Sequence, residues 1–117
     1  MSSRTPDQSL HNILNSITLI EEFIADISFD RFRDEPMRIA AVERHLQKIS
    51  EAAIRLGDQA EILCPGVPWR NIRGIGNFLR HEYDRVDLDT VWHTVVDHLP
   101  ALKASVTAVL QTRRVSG

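Results

Sequence analysis

Apolar residues recur at steps of three and four along almost the whole chain, and such a spacing forms one continuous face only in an α-helix. The longest run lies near the N-terminus and consists of Leu10, Ile13, Leu14, Ile17, Ile20, Ile24 and Ile27. No segment alternates between apolar and polar residues for long enough to indicate a half-buried strand. The pattern therefore predicts an all-α protein.

The first half of the chain predicts two long helices. The first follows a cap at Asp7 or Ser9 and continues to about residue 27, where residues 28–30 interrupt the pattern. The second starts with Pro36 in its first turn, where a missing N–H does no harm. It ends at Gly57, because glycine is the usual residue just after a helix C-terminus.

The second half predicts two more helices after a loop or short helical turn at residues 58–67. The third starts at Pro68 and ends near Tyr83. The fourth is capped by an aspartate at position 87 or 89, is ended or kinked by Pro100, and continues to about Arg113. Short connections favour antiparallel neighbours. We therefore predict one domain over residues 1–117, with about 7–113 ordered and the tails frayed, folded as an antiparallel four-helix bundle with a bent last helix.

Composition excludes several classes of function. The formal net charge is -2, so any contact with nucleic acid depends on a local patch rather than on a global basic field. The single Cys64 excludes an internal disulfide and a cysteine-based zinc site, and its place before Pro65 favours a structural role. No signal peptide or membrane-spanning run is visible, so a cytoplasmic protein without membrane contact is expected.

Core packing does not explain the polar side chains in the segment of residues 73–84. Asn77 and His81 are four residues apart and share a helical face, Arg73 lies one turn further back, and Arg80 lies about 100° around the helix from His81. A histidine carries protons near neutral pH, and an arginine stabilises charge on a phosphate. The group suits RNA cleavage without a metal or cofactor, whereas the plainer interpretation is a surface histidine near a helix end.

Three signatures in this order resemble those of HepT-like proteins of the HEPN superfamily. Residues 41–53 resemble their second helix, and residues 68–75 followed by 77–87 resemble their central motif. Val91-Trp92 and residues 99–102 resemble their last helix. The resemblance extends from about Leu10 to Leu110.

This resemblance implies a HEPN-like helical bundle that dimerises and a ribonuclease toxin whose antitoxin partner is a minimal nucleotidyltransferase (MNT). It implies an active site in a cleft between two protomers. The residues of this site come from a sequence motif in which an Arg is followed, after four to six residues, by a His and then, after one more residue, by a Tyr. By this match His81 is the catalytic histidine, Asn77 is the polar residue that follows the family's Arg, and Tyr83 is the tyrosine to which the antitoxin attaches AMP.

The chain departs from the motif at Gly76, five residues before His81, where the family's Arg usually stands. Arg73 and Arg80 flank the position, and either is a candidate for the missing cation. The alternative is a non-catalytic binding module that pairs with the nucleotidyltransferase or accepts AMP from it. A cleft that binds nucleotides fits both interpretations, since AMP and an RNA phosphate need the same donors.

Overall fold

The computed structural model describes the backbone of residues 6–81 and 87–116 and the side chains of residues 6–79 and 87–113. Every regular element in these ranges is helical, which confirms the predicted all-α fold. The elements are α1 (Pro6–Ile24), α2 (Phe29–Arg33), α3 (Pro36–Leu56), α4 (Gln59–Leu63), α5 (Trp69–His81), α6 (Leu88–His93), a π-helical turn (Thr94–His98) and α7 (Leu99–Ser116).

Helix α3 is the centre of the bundle. It packs against α1 on one side and α5 on the other, while α7 packs against α1. The predicted apolar faces meet in one core, and its largest fully buried side chains include Trp69, Phe32, Leu10, Ile13, Ile17 and Ile20. Burial of such side chains contributes roughly 1.5–3 kcal/mol each, which is the main stabilising term in a fold of this size.

The helix ends agree with the predicted caps at two places. Gly57 ends α3 with φ 55° and ψ -138°, a backbone region that is essentially restricted to glycine. The Asp87 carboxylate accepts hydrogen bonds from the backbone N–H groups of Asp89 and Thr90 at the start of α6. Both caps depend on residues adjacent in sequence, which is why sequence alone indicated them.

The first predicted helix was too long. It ends at Ile24, and the interruption at residues 28–30 starts the short helix α2. The Ser28 hydroxyl accepts a hydrogen bond from the Arg31 N–H at 3.3 Å and caps this new helix. Serine competes with a continuing helix in this way because its side chain offers the backbone another partner. At residues 58–67, where a loop or a short helical turn was predicted, the structure has the short helix α4.

Pro100 does not end the last helix. The Leu99 N–H donates to the carbonyl of Thr94, five residues earlier, so the chain widens into a π turn immediately before the proline. Such a turn accommodates one residue more than an α turn, and helical structure then continues through Pro100 to Ser116. Within the described ranges, no helix is both long and apolar enough to cross a membrane.

Candidate active site

Helix α5 carries the predicted site and is anchored at its N-terminal end. Trp69 is buried, and its indole Nε1–H donates to the Cys64 carbonyl at 3.0 Å. The Cys64 thiol is buried as well, and this burial raises its pKa. A thiol kept protonated in the core is a poor nucleophile, which agrees with the structural role predicted for it.

The buried face of α5 includes Gly76, at the position where the resemblance leads us to expect an arginine. Ile72, Gly76 and Leu79 are all buried and follow each other at helical spacing. The Gly76 N–H donates to the Ser50 hydroxyl at 3.1 Å, and that hydroxyl donates to the Arg73 carbonyl at 2.8 Å. Ser50 is only 1% exposed. Position 76 therefore belongs to the contact between α3 and α5.

Arg73 points toward the C-terminal end of α3. Its guanidinium donates to the two Glu61 carboxylate oxygens at 2.8 and 2.9 Å and to the Gly57 carbonyl at 2.9 Å. A longer contact of 3.4 Å joins its Nε to the Ala53 carbonyl. The hydrogen bond from Arg73 lowers the pKa of the Glu61 carboxyl, and the same bond raises the pKa of Arg73.

These contacts give Arg73 a capping role that sequence reasoning missed. A cation beside the last carbonyls of a helix satisfies orphan acceptors and opposes the negative end of the helix dipole. No local signal could have found this role, because the acceptors lie 16 and 20 residues earlier in the chain. Binding of a phosphate by Arg73 stays a prediction, and it would require the loss of these contacts.

Asn77 and His81 both lie on the C-terminal half of α5, one helical turn apart, as the spacing predicted. Asn77 is exposed, and its amide makes no hydrogen bond within the described ranges. For Arg80 and His81 the structure describes only the helical backbone, and Tyr83 lies outside the described residues. The backbone therefore supports a shared face for Asn77 and His81.

A groove of about 700 Å³ runs between α5 and the segment formed by α6, the π turn and α7. Its walls are mainly apolar, with Ile75 and Phe78 from α5 and Leu102 from α7 among the lining residues. Arg70 and Asp97 are charged members of the lining. This groove is next to the exposed face of α5, and sequence analysis did not predict it because helical periodicity does not show how separate helices lie against one another.

The chain is similar to known proteins along most of its length. The family model described as "Ribonuclease HepT-like" matches residues 13–109. A protein of Caldanaerobacter subterraneus subsp. tengcongensis, named "Putative RNase TTE0752", is 32% identical over 95% of this chain and 99% of its own length. The "Probable ribonuclease HepT" of Thermococcus cleftensis is 35% identical over 86% of this chain and 91% of its own length. No solved structure gave a significant match.

Proposed function

Because this chain belongs to the ribonuclease HepT-like family, we propose that it is a metal-independent RNA endonuclease, the cytoplasmic toxin of a toxin–antitoxin pair. The family match and the names of the relatives support an RNase-type function. The observation that carries the more specific proposal is that this match covers the whole of α5, where Asn77 and His81 lie one turn apart. The proposed antitoxin is an MNT-type nucleotidyltransferase.

The proposed chemistry is transfer of the RNA phosphate to the neighbouring 2′-hydroxyl. His81 takes the 2′-hydroxyl proton, and the 2′-oxygen attacks the adjacent phosphorus while the bond to the 5′-oxygen breaks. The leaving oxygen takes a proton, so the products are a 2′,3′-cyclic phosphate and a free 5′-hydroxyl. Arg80 stabilises the extra negative charge on the phosphate, and Asn77 orients it with its exposed amide.

A homodimer fits this chemistry because two copies of His81 at one cleft supply both a base and an acid. Arg80 of each protomer then lies beside the shared cleft. Tyr83 is the proposed acceptor of AMP from the nucleotidyltransferase. An AMP group two residues from His81 would block the cleft with its bulk and its phosphate charge.

A second function is favoured by the geometry around Gly76. This residue is buried against Ser50, and the neighbouring Arg73 is already paired with Glu61. If Arg80 does not supply the missing cation, the chain retains the fold without an efficient phosphate-stabilising group. Loss of one such group costs roughly 10²–10³ in rate, so the alternative is a non-catalytic module that binds the nucleotidyltransferase or is its AMP acceptor.

The test is RNA cleavage by the purified protein in EDTA, with the His81→Ala and Arg80→Ala variants beside it. Arg55→Ala is the matched control, since Arg55 is exposed and makes no ion pair within the described residues. A second control is the same RNA with 2′-deoxyribose at the cleaved position, which removes the proposed nucleophile.

We expect cleavage by the wild type and the Arg55 variant, a 2′,3′-cyclic phosphate end, and loss of activity in the His81 variant and on the deoxy substrate. A large decrease in kcat for Arg80→Ala would identify Arg80 as the substitute for the motif arginine. Absence of cleavage by the unmodified wild type would refute the nuclease. The binding module would then be tested with the nucleotidyltransferase, labelled ATP and Tyr83→Phe.

A further inference from the structure

The exposed side of α5 continues beyond the predicted catalytic residues to Arg70. Positions 70, 74, 77 and 81 follow each other at steps of four, three and four residues, so they form one stripe along the helix. At a rise of 1.5 Å per residue, Arg70 lies about 10 Å from Asn77 and about 16 Å from His81 along the axis. A short single-stranded segment of RNA can span this distance.

Arg70 is available to bind an anion, in contrast to most arginines in the described part of the chain. It is exposed and has no hydrogen bond or ion pair there, whereas Arg73 is held by Glu61. Arg70 is also the only lysine or arginine found among the described residues that line the groove. The acidic lining residue Asp97 is paired with His93 at 2.7 Å, which reduces the repulsion of a phosphate.

The surface between Arg70 and Asn77 is open. Gly74 lies there, and a Cβ atom added to it would have no neighbour within 4 Å. Phe78 lies one turn after Gly74, is half-buried and lines the groove. An aromatic ring that lines an apolar groove and a cation about 12 Å away along the same helix are groups with which proteins bind single-stranded RNA, since the ring can stack on one base while the cation holds a backbone phosphate of the same strand.

We propose that α5 carries a nucleotide-binding subsite for the RNA substrate, in which Arg70 binds a backbone phosphate and Phe78 stacks on a base in the groove. This proposal rests on the proposed ribonuclease function and adds to it a substrate contact about 16 Å from His81 along the helix. The charge of Arg70 favours RNA as the occupant of the groove over an uncharged protein segment. A second copy of this chain is the competing occupant.

The experiment measures binding without cleavage. A fluorescent single-stranded RNA with 2′-O-methyl ribose at every position, which removes the proposed nucleophile wherever cleavage would occur, is titrated with wild type, Arg70→Gln, Arg70→Lys and Phe78→Leu at several salt concentrations. Arg55→Gln is the matched control, because Arg55 is also exposed and unpaired in the described ranges but does not line the groove. Circular dichroism and sedimentation velocity on each variant monitor folding and oligomeric state.

We expect Arg70→Gln to weaken binding several-fold at low salt and to reduce the slope of log K against log salt by about 0.7, the value for one lost phosphate contact on a single strand. Arg70→Lys should keep the slope, and Arg55→Gln should change neither quantity. Phe78→Leu should weaken binding about fivefold or more without a change in slope, because stacking carries no charge.

The results separate this proposal from the nuclease itself. If the wild type cleaves normal RNA but Arg70→Gln binds with unchanged affinity and slope, the subsite is refuted and the nuclease stands. If the slope changes as expected but the wild type does not cleave, the subsite stands and the nuclease is refuted. A Phe78→Leu variant that dissociates to monomers and binds RNA normally would show that a second copy of the chain covers the groove.

Discussion

Replacement of Arg73 by methionine tests whether this residue stabilises the fold or holds the substrate. Methionine retains most of the apolar stem but removes the donors to Glu61 and to the Gly57 carbonyl. The hydrogen bond from the charged guanidinium to the Gly57 carbonyl contributes about 1.5–3 kcal/mol, whereas solvent screens the ion pair with the exposed Glu61 carboxylate, which adds little. The 3.4 Å contact with Ala53 is too long to contribute much.

The expected loss is therefore about 1.5–3 kcal/mol of unfolding free energy, which for a domain of 117 residues corresponds to a decrease in Tm of roughly 5–15 °C. Urea unfolding followed by circular dichroism measures the free energy, and a thermal scan measures Tm. Arg73→Lys should recover part of the loss. Arg55→Met, the same change at an exposed and unpaired arginine of the described chain, should stay within about 0.5 kcal/mol of the wild type.

The activity of the same variants completes the test. If Arg73 only caps α3, the rate of RNA cleavage per folded molecule should be unchanged at a temperature where Arg73→Met is folded. Equal unfolding free energies for wild type and Arg73→Met would refute the capping argument. A normal unfolding free energy combined with a large loss of kcat would instead support a role for Arg73 in the active site.

Three further predictions concern the fold. Ser50→Ala should lose about 1–2 kcal/mol in urea unfolding because it removes the two hydrogen bonds that the buried Ser50 hydroxyl makes between α3 and α5. The half-buried Ser105→Ala should not be destabilised, and equal effects of the two changes would refute this. Gly57→Ala should lower the unfolding free energy by about 1–3 kcal/mol through backbone strain alone, since a Cβ atom there would have open space. Gly74→Ala, in the middle of a helix, should raise it by up to about 1 kcal/mol, and a neutral Gly57→Ala would contradict the strain argument. Desolvation lowers the pKa of His45 in the fold, so the unfolded state binds more protons and stability falls as the pH decreases below the ordinary histidine pKa of about 6.5. His45→Gln should therefore flatten the pH dependence of the urea midpoint between about pH 7.5 and 5.5, and an unchanged pH dependence would exclude this contribution.

The candidate site was predicted in part. The sequence indicated that Asn77 and His81 share a face of a helix, and the helical backbone of α5 supports this spacing. It did not indicate that Gly76 contacts Ser50 or that Arg73 caps α3. A helical periodicity tells which positions are close together on one helix, but it carries no information about which atoms of another helix lie opposite them.

Local physics thus determined the number of long helices, their apolar faces, and caps such as Asp87 and Gly57, because each depends on residues within a few positions of one another. Tertiary structure alone decided that Arg73 of the predicted site, and Gly76 at the position expected to hold the motif arginine, serve the contact with α3. It also decided that Arg70 lines a groove and has no ion-pair partner among the residues that the structure describes. These outcomes depend on contacts between helices whose residues are 16 or more positions apart in the chain. The free energy that selects such contacts comes from the burial of side chains between helices, which the sequence of a single helix does not determine.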